Sequence, residues 1–227
     1  MKFIQPSFEI LTPLDRETIY KQIEIIARTC YKSEAKITET SATKMIKALL
    51  NRQHGAMMEH MTISVKFFCD RGVSHEIVRH RVASYAQEST RYCNYNGEKF
   101  GGEITYIDIT GGMERDPKIS ALSLESFFAI YNEWLIACQD AERHYNRMIE
   151  LGASPQIARS VLNNSTKTEI VATMNLREWA HFFNLRALGT TGAPHPQMKE
   201  VALPLLKAFA EALPEVFGDL YEQSMWE

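Results

Sequence analysis

"RHRVASYAQESTRY", residues 79–92, sets Arg79, His80, Arg81 and Arg91 within thirteen positions of a chain of 227 residues whose formal net charge is -3. Guanidinium groups carry fork-shaped donors that match phosphate oxygens, and serine hydroxyls with loop amides complete an anion cradle. An isolated R-H-R is ordinarily a solvated basic face of a helix. The polar continuation through Ser84, Gln87, Ser89 and Thr90 points instead to a local site for a phosphomonoester or diphosphate. Because the chain as a whole is acidic, a broad polyanion-binding surface is not expected, and nucleic acid is not an expected partner.

Working outward, the basic stretch follows "MTISVKFFC" (61–69), whose β-branched and aromatic residues read as a strand ending near Asp70 and Gly72. Residues 73–83 read as a short helix with Val73, Ile77, Val78 and Val82 apolar. Upstream, a strand is expected between Lys2 and Leu11, and Asp15 caps a helix carrying Ile19, Ile23, Ile26 and Tyr31. A second helix is expected over 41–51, with Met45, Leu49 and Leu50 buried. Downstream, "EITYIDI" (103–109) reads as a strand, "TGGMERDPK" (110–118) as turns, and 123–150 as a long helix. Ser154-Pro155 opens a helix expected to reach Leu162.

"TKTEIVATMN" (166–175) reads as a strand and Asn175 as the cap of the helix "LREWAHFFNLR". At about 100° per residue, Arg177, His181 and Asn184 share one face, and Leu176, Trp179, Phe182 and Phe183 the other. Arg186 projects along the aromatic side, as either a snorkelling chain at a helix end or a charge aimed into a desolvated pocket. The segment 189–197 is a loop by composition, and the C-terminal helices, with Val201, Leu205, Phe209 and Leu213, are expected to break at Pro204 and Pro214. The fold class is α+β, a single helix-rich domain over residues 1–227 with a central mixed or antiparallel sheet.

No G-x-G-x-x-G, G-x-x-x-x-G-K-[ST], H-E-x-x-H or G-x-S-x-G occurs. Cys30, Cys69, Cys93 and Cys138 are scattered, which suits reduced thiols, and Cys93 reads as a buried cysteine rather than a nucleophile. His54, His60, His75 and His80 match no metal spacing, so no metal is expected. Ser89 has no general base beside it and serves better as an anion ligand. With no apolar stretch of bilayer length and no signal-peptide pattern at the N-terminus, no membrane association and a cytoplasmic location are expected.

Taken together and in order, these segments resemble the flavin-dependent thymidylate synthases. Arg79-His80-Arg81, seven residues, Ser89 and then Arg91 fit that family's signature spacing. "HGAMMEH" (54–60), "IARSVL" around Arg159, "NLREWAHFFNLR" (175–186) and "HPQMKE" (195–200) extend the likeness across most of residues 50–205. The resemblance implies a non-Rossmann FAD site in a homotetramer whose active sites draw on more than one subunit. It implies conversion of dUMP to dTMP, with 5,10-methylenetetrahydrofolate as carbon donor and FAD reduced by NADPH as hydride source. Carried over by position, FAD would be held by His54, Arg79, His80, Arg81, Gln87, Asn175, Arg177, His181 and His195. The nucleotide would be held by Glu76, Arg79, Gln87, Glu88, Ser89, Thr90, Arg91, Arg159 and Arg186, with Arg186 as the catalytic group. Many members have Asn and Glu where this chain has Ala86 and Gln87, and Gln where it has Glu76. Those departures keep open a related flavin-dependent hydroxymethylase, and a nucleic-acid-binding module is the alternative of a different class.

Overall fold

The computed structural model describes residues 1–92, 95 and 102–226. Two nine-residue strands, β3 (Thr62–Asp70) and β6 (Lys167–Asn175), pair antiparallel along their whole length, from Thr62 opposite Asn175 to Asp70 opposite Lys167. β2 (Ser7–Ile10) joins the far side of β3 and β4 (Ala83–Gln87) the far side of β6, giving a four-stranded antiparallel sheet in the order β2-β3-β6-β4. A separate parallel pair is formed by β1 (Lys2–Ile4) and β5 (Thr105–Ile107). The expected N-terminal strand is therefore two, which part at Gln5 and Pro6 to enter different sheets.

Strand alternation decides where the core lies. Ile63, Val65, Phe67 and Cys69 of β3, with Thr168, Ile170, Ala172 and Met174 of β6, are buried on one face. On the opposite face Ser64 and Thr173 hydroxyls meet at 2.8 Å and Lys66 pairs with Glu169. The buried face packs with helices α1 (Arg16–Thr29), α2 (Ser41–Asn51), α8 (Leu176–Phe183), α9 (Pro196–Ala212) and α10 (Pro214–Ser224). Trp179, Phe182, Phe183, Phe209 and Phe217 form its aromatic centre. Each side chain of this size contributes about 1.5–3 kcal/mol on full burial. A second apolar cluster gathers Tyr106, Cys138, Tyr145 and Ala158, with Phe3 and Trp134 against it, where the β1–β5 pair meets α6 (Leu124–Glu150).

Several expectations are corrected. Residues 73–83 are not one helix: α3 (Arg71–Ile77) stops at Ile77, the chain turns, and Ala83–Gln87 becomes β4 on the edge of β6. "TGGMER" forms helix α4 (Thr110–Arg115), followed by the single turn α5 (Pro117–Ser120) capped by Asp116. The helix after Ser154 is one turn, α7 (Pro155–Ala158), and passes into a tighter turn over Arg159–Val161. Pro204 does not break α9, which runs through it, whereas Pro214 does open α10. α1 ends at Thr29, leaving Tyr31 beyond it and exposed. Asp15, Asp70 and Asn175 cap as their positions imply, each accepting a backbone N–H of the first turn. No helix among the described residues is long and apolar enough to cross a membrane.

Candidate active site

The site lies where the chain leaving α3 meets the end of α8. α3 closes in a tight turn, with Arg79 N–H bonded to Glu76 O and His80 N–H to Ile77 O. Tyr85 reaches back from β4 to place its hydroxyl 2.8 Å from the carbonyls of both Ile77 and His80. Pairing of β4 with β6 therefore holds the R-H-R turn. The turn buries His80 and leaves Arg79 and Arg81 exposed.

α8 lies with Leu176, Trp179, Phe182 and Phe183 in the core and Arg177 and His181 outside, as its amphipathic pattern requires. Past Phe183 the helix widens into a π turn over Asn184–Leu188, a feature that re-aims side chains and is common at functional sites. Gly189, at φ 76°, closes it by donating its N–H to Asn184 O. A side chain there would meet Pro194 at 2.7 Å, so glycine is needed both for the left-handed turn and for the approach of the following loop.

This turn carries Arg186 to His80. Arg186 Nε donates to His80 Nε2 at 3.0 Å, and Nη1 pairs with Glu76 Oε2 at 2.7 Å. The pocket reading of Arg186 is the one realised: the cation is partly buried and its charge is met by Glu76. Burial, then the neighbouring Arg186 and His181, pull the His80 pKa down to about 4, so this imidazole is neutral at physiological pH. Its ring packs against Phe182 at 4.9 Å and lies edge-on to His181 at 5.7 Å. Arg186 and Glu76 open onto a cleft of about 320 Å³ also lined by Leu185, Thr191, Gly192, Ala193, Pro194 and His195.

The other expected residues divide into groups. His54 and Arg177 line a separate hollow of about 340 Å³, with Gly55 packed against the Arg177 side chain and Glu59 paired to its guanidinium at 2.6 Å. Arg159 and Thr90 come together, Arg159 Nη1 donating to Thr90 Oγ1 at 2.9 Å. Arg91 N–H approaches Ser89 Oγ, and its guanidinium lies over the ring of exposed Tyr92. Glu88 is tied to Lys167 at 3.2 Å and to the Tyr95 hydroxyl. Gln87 faces inward, its amide donating to Ser74 Oγ and Thr168 Oγ1. The Asn175 carboxamide oxygen is taken by the Glu178 N–H as a helix cap. Cys93 lies outside the described residues.

Sequence reasoning passed over Tyr85 and Glu178. Tyr85 carries a signal only once Ala83–Gln87 is recognised as a strand, with Ala83, Tyr85 and Gln87 turned inward. Glu178 reads locally as an ordinary first-turn acid of α8.

The cleft is thus lined by a partly buried arginine that meets a neutral histidine, and Arg79 and Arg81 flank that histidine in the chain with exposed side chains. Residues 15–215 match the family described as thymidylate synthase complementing protein. Flavin-dependent thymidylate synthases from Mycobacterium avium and Pyrococcus furiosus are each 30% identical to it, over 87% and 88% of this chain and 78% and 75% of their own. The one from Geobacter sulfurreducens is 28% identical over 87% of this chain and 80% of its own. A UMP/dUMP methylase, PolB from Streptomyces cacaoi, solved with 5-Br dUMP, shares the fold with a TM-score of 0.78 over 96% of both chains at 22% identity. The chain belongs to the flavin-dependent thymidylate synthase family and is an enzyme.

Proposed function

We propose that this enzyme methylates C5 of dUMP to give dTMP in a FAD site, taking the carbon from 5,10-methylenetetrahydrofolate and the reducing equivalents from NADPH. The observation that carries the reading is Arg186, fixed by His80 and Glu76 at the mouth of a cleft of suitable size for a pyrimidine. Methylation requires electron density at C5. A guanidinium donating to the N3/C4 edge of the base stabilises negative charge there and raises that density without an attacking thiol. Two of the described cysteines agree: burial pushes the Cys69 and Cys138 thiols up, away from the reactive thiolate.

The donor set suits a flavin. Exposed Arg79, Arg81 and Arg177 offer guanidinium forks for a diphosphate, His54 and His195 are exposed imidazoles lining the two hollows, and His181 is exposed beside His80. Gly55 leaves room for the Arg177 side chain, which a Cβ would crowd at 3.2 Å. When bound, the flavin would supply the hydride that completes the methyl group. The chain's own residues bind, orient and polarise: Ser89, Arg91 and Arg159 toward the nucleotide phosphate, Arg186 toward the base. Gln87, whose amide hydrogens are spent inside the fold, keeps β4 seated and offers the ligands its backbone. By its family likeness the enzyme would act as a homotetramer in the cytoplasm, one protomer's cradle completing its partner's cleft.

Purified protein is expected to retain FAD and to convert dUMP, methylenetetrahydrofolate and NADPH to a product heavier by one methylene, with loss of label from C5. Arg186→Ala should keep the flavin and lower turnover by about 10²–10³-fold. Protein that neither carries nor retains FAD would overturn the reading. A product heavier by a hydroxymethyl substituent would replace it with the hydroxymethylase that Glu76 and Gln87 bring to mind.

A further inference from the structure

His80 Nδ1 and Glu178 Oε1 are both buried, find no hydrogen-bond partner among the described residues, and face each other at 3.6 Å. The rest of the His80 ring decides what passes between them. Arginine Nε always carries its hydrogen, so the 3.0 Å contact from Arg186 makes His80 Nε2 the acceptor. A neutral imidazole that accepts at Nε2 holds its proton on Nδ1. Glu178 Oε1 lies 3.6 Å from that nitrogen, just beyond hydrogen-bond length.

A cation is the competing occupant, because ligand atoms of His80, Glu178 and His181 lie within 4.8 Å of one another. The tautomer argues against it: one ring nitrogen has its lone pair engaged by Arg186 and the other is protonated, so His80 has no lone pair to give a metal. The acid itself has a double setting. Burial raises the Glu178 pKa, while His181 and the backbone N–H of Arg81 favour its charged form. The groups facing His80 are thus Arg186 from the π turn, His181 from the end of α8, Glu178 from its first turn, and Glu76 of α3 through Arg186.

We propose that Glu178 is a positioning residue: by accepting Nδ1–H of His80 it holds the tautomer whose Nε2 receives Arg186 Nε–H, and so fixes the guanidinium whose Nη groups meet Glu76 in the lining of the cleft. The line Glu178–His80–Arg186–Glu76 joins the first turn of α8 to the last of α3. Its catalytic meaning rests on the role given to Arg186 above, but its structural content is independent of any ligand.

Three substitutions separate this from a plain helix-capping role. Glu178→Asp keeps an acid in the first turn but withdraws the oxygen from His80. Glu178→Gln removes the charge but keeps an oxygen that accepts, and Glu178→Ala removes both. The readout is ¹⁵N chemical shifts of the His80 ring in ligand-free protein, followed by kcat for dUMP. Wild type and Glu178→Gln should show the Nδ1–H tautomer. Glu178→Asp and Glu178→Ala should show mixed tautomers and about a tenfold lower kcat, a typical size for losing a partner that orients a functional histidine. An unchanged His80 tautomer in Glu178→Asp, or Glu178→Gln as impaired as Glu178→Ala, overturns the proposal. Zinc ions shifting the His80 and His181 resonances together overturn it in favour of a cation site. The expected tautomers in a protein that does not methylate dUMP would leave this inference standing and remove the proposed function.

Discussion

β3 with α3 and β6 with α8 are the same local device used twice. Each strand has nine residues, and each ends in an extended cap, Asp70 at φ -77°, ψ 169° and Asn175 at φ -76°, ψ 166°. Each cap accepts the N–H three residues on, from Val73 at 2.6 Å and from Glu178 at 2.8 Å. Because the strands are antiparallel, the two helices start from opposite ends of the sheet. They nevertheless converge, since α8 and its π turn carry Arg186 to Glu76 near the end of α3. They differ in what anchors them. α8 buries Leu176, Trp179, Phe182 and Phe183, while α3 buries Val73, Ser74 and Ile77 and relies on Tyr85 to hold the turn beyond it. α8 is anchored by its own buried aromatic side chains, and the turn after α3 is held by Tyr85.

The sharpest way to break this contrast is in the core. Trp179 is fully buried, contacts Phe67, Phe182, Phe183 and Phe209, and donates Nε1–H to Ile63 O at 3.0 Å. Trp179→Ala should cost about 3–5 kcal/mol in chemical denaturation, and more than Ile77→Ala in α3, for which the ordinary range is about 2–5 kcal/mol. Comparable losses would show that the two helices are anchored alike.

The caps test the likeness itself. Asp70→Ala and Asn175→Ala should each cost about 1 kcal/mol. Asp70→Asn should change stability by under about 0.5 kcal/mol, because the amide oxygen still accepts the Val73 N–H.

The smallest effect concerns pH, where two buried groups respond with opposite sign. Burial raises the Asp70 pKa at the start of α3 and pushes Glu200 of α9 up to about 7, with Asp108, Asp70 and Glu114 adding to it against Arg115. A native acid that holds its proton more tightly than the unfolded chain stabilises at low pH and loses that contribution as pH rises through about 7. Glu200→Gln should therefore raise stability at pH 8 by on the order of 1 kcal/mol, allowing for solvent screening, and change little at pH 5. In the turn after α3, His80 with its pKa near 4 binds its proton less tightly than the unfolded chain, so its contribution is lost as pH falls from the ordinary histidine range toward 4. Melting temperatures across pH 4–8 for wild type and Glu200→Gln separate the two.

Much of this was legible along the chain. Asp15, Asp70 and Asn175 announce helix starts through side chains that reach only two or three residues, and β3, β6 and α8 announce themselves through strand and helix periodicity. The spacing of Arg79, His80, Arg81, Ser89 and Arg91 was enough to suggest the family that residues 15–215 match. Local physics and motif spacing carry that information without a partner strand. Only the tertiary structure decided that "ASYAQ" is a strand, that Gln87 turns inward and that Tyr85 pins the R-H-R turn. A five-residue segment of small and polar residues has no decisive period of its own, so hydrogen bonds to β6, more than 80 residues away, choose its conformation. The same holds for Glu178, His80, Arg186 and Glu76. Their order along the chain shows a scattered acid, imidazole, cation and acid, and the long-range packing of α8 against the end of α3 makes them one line.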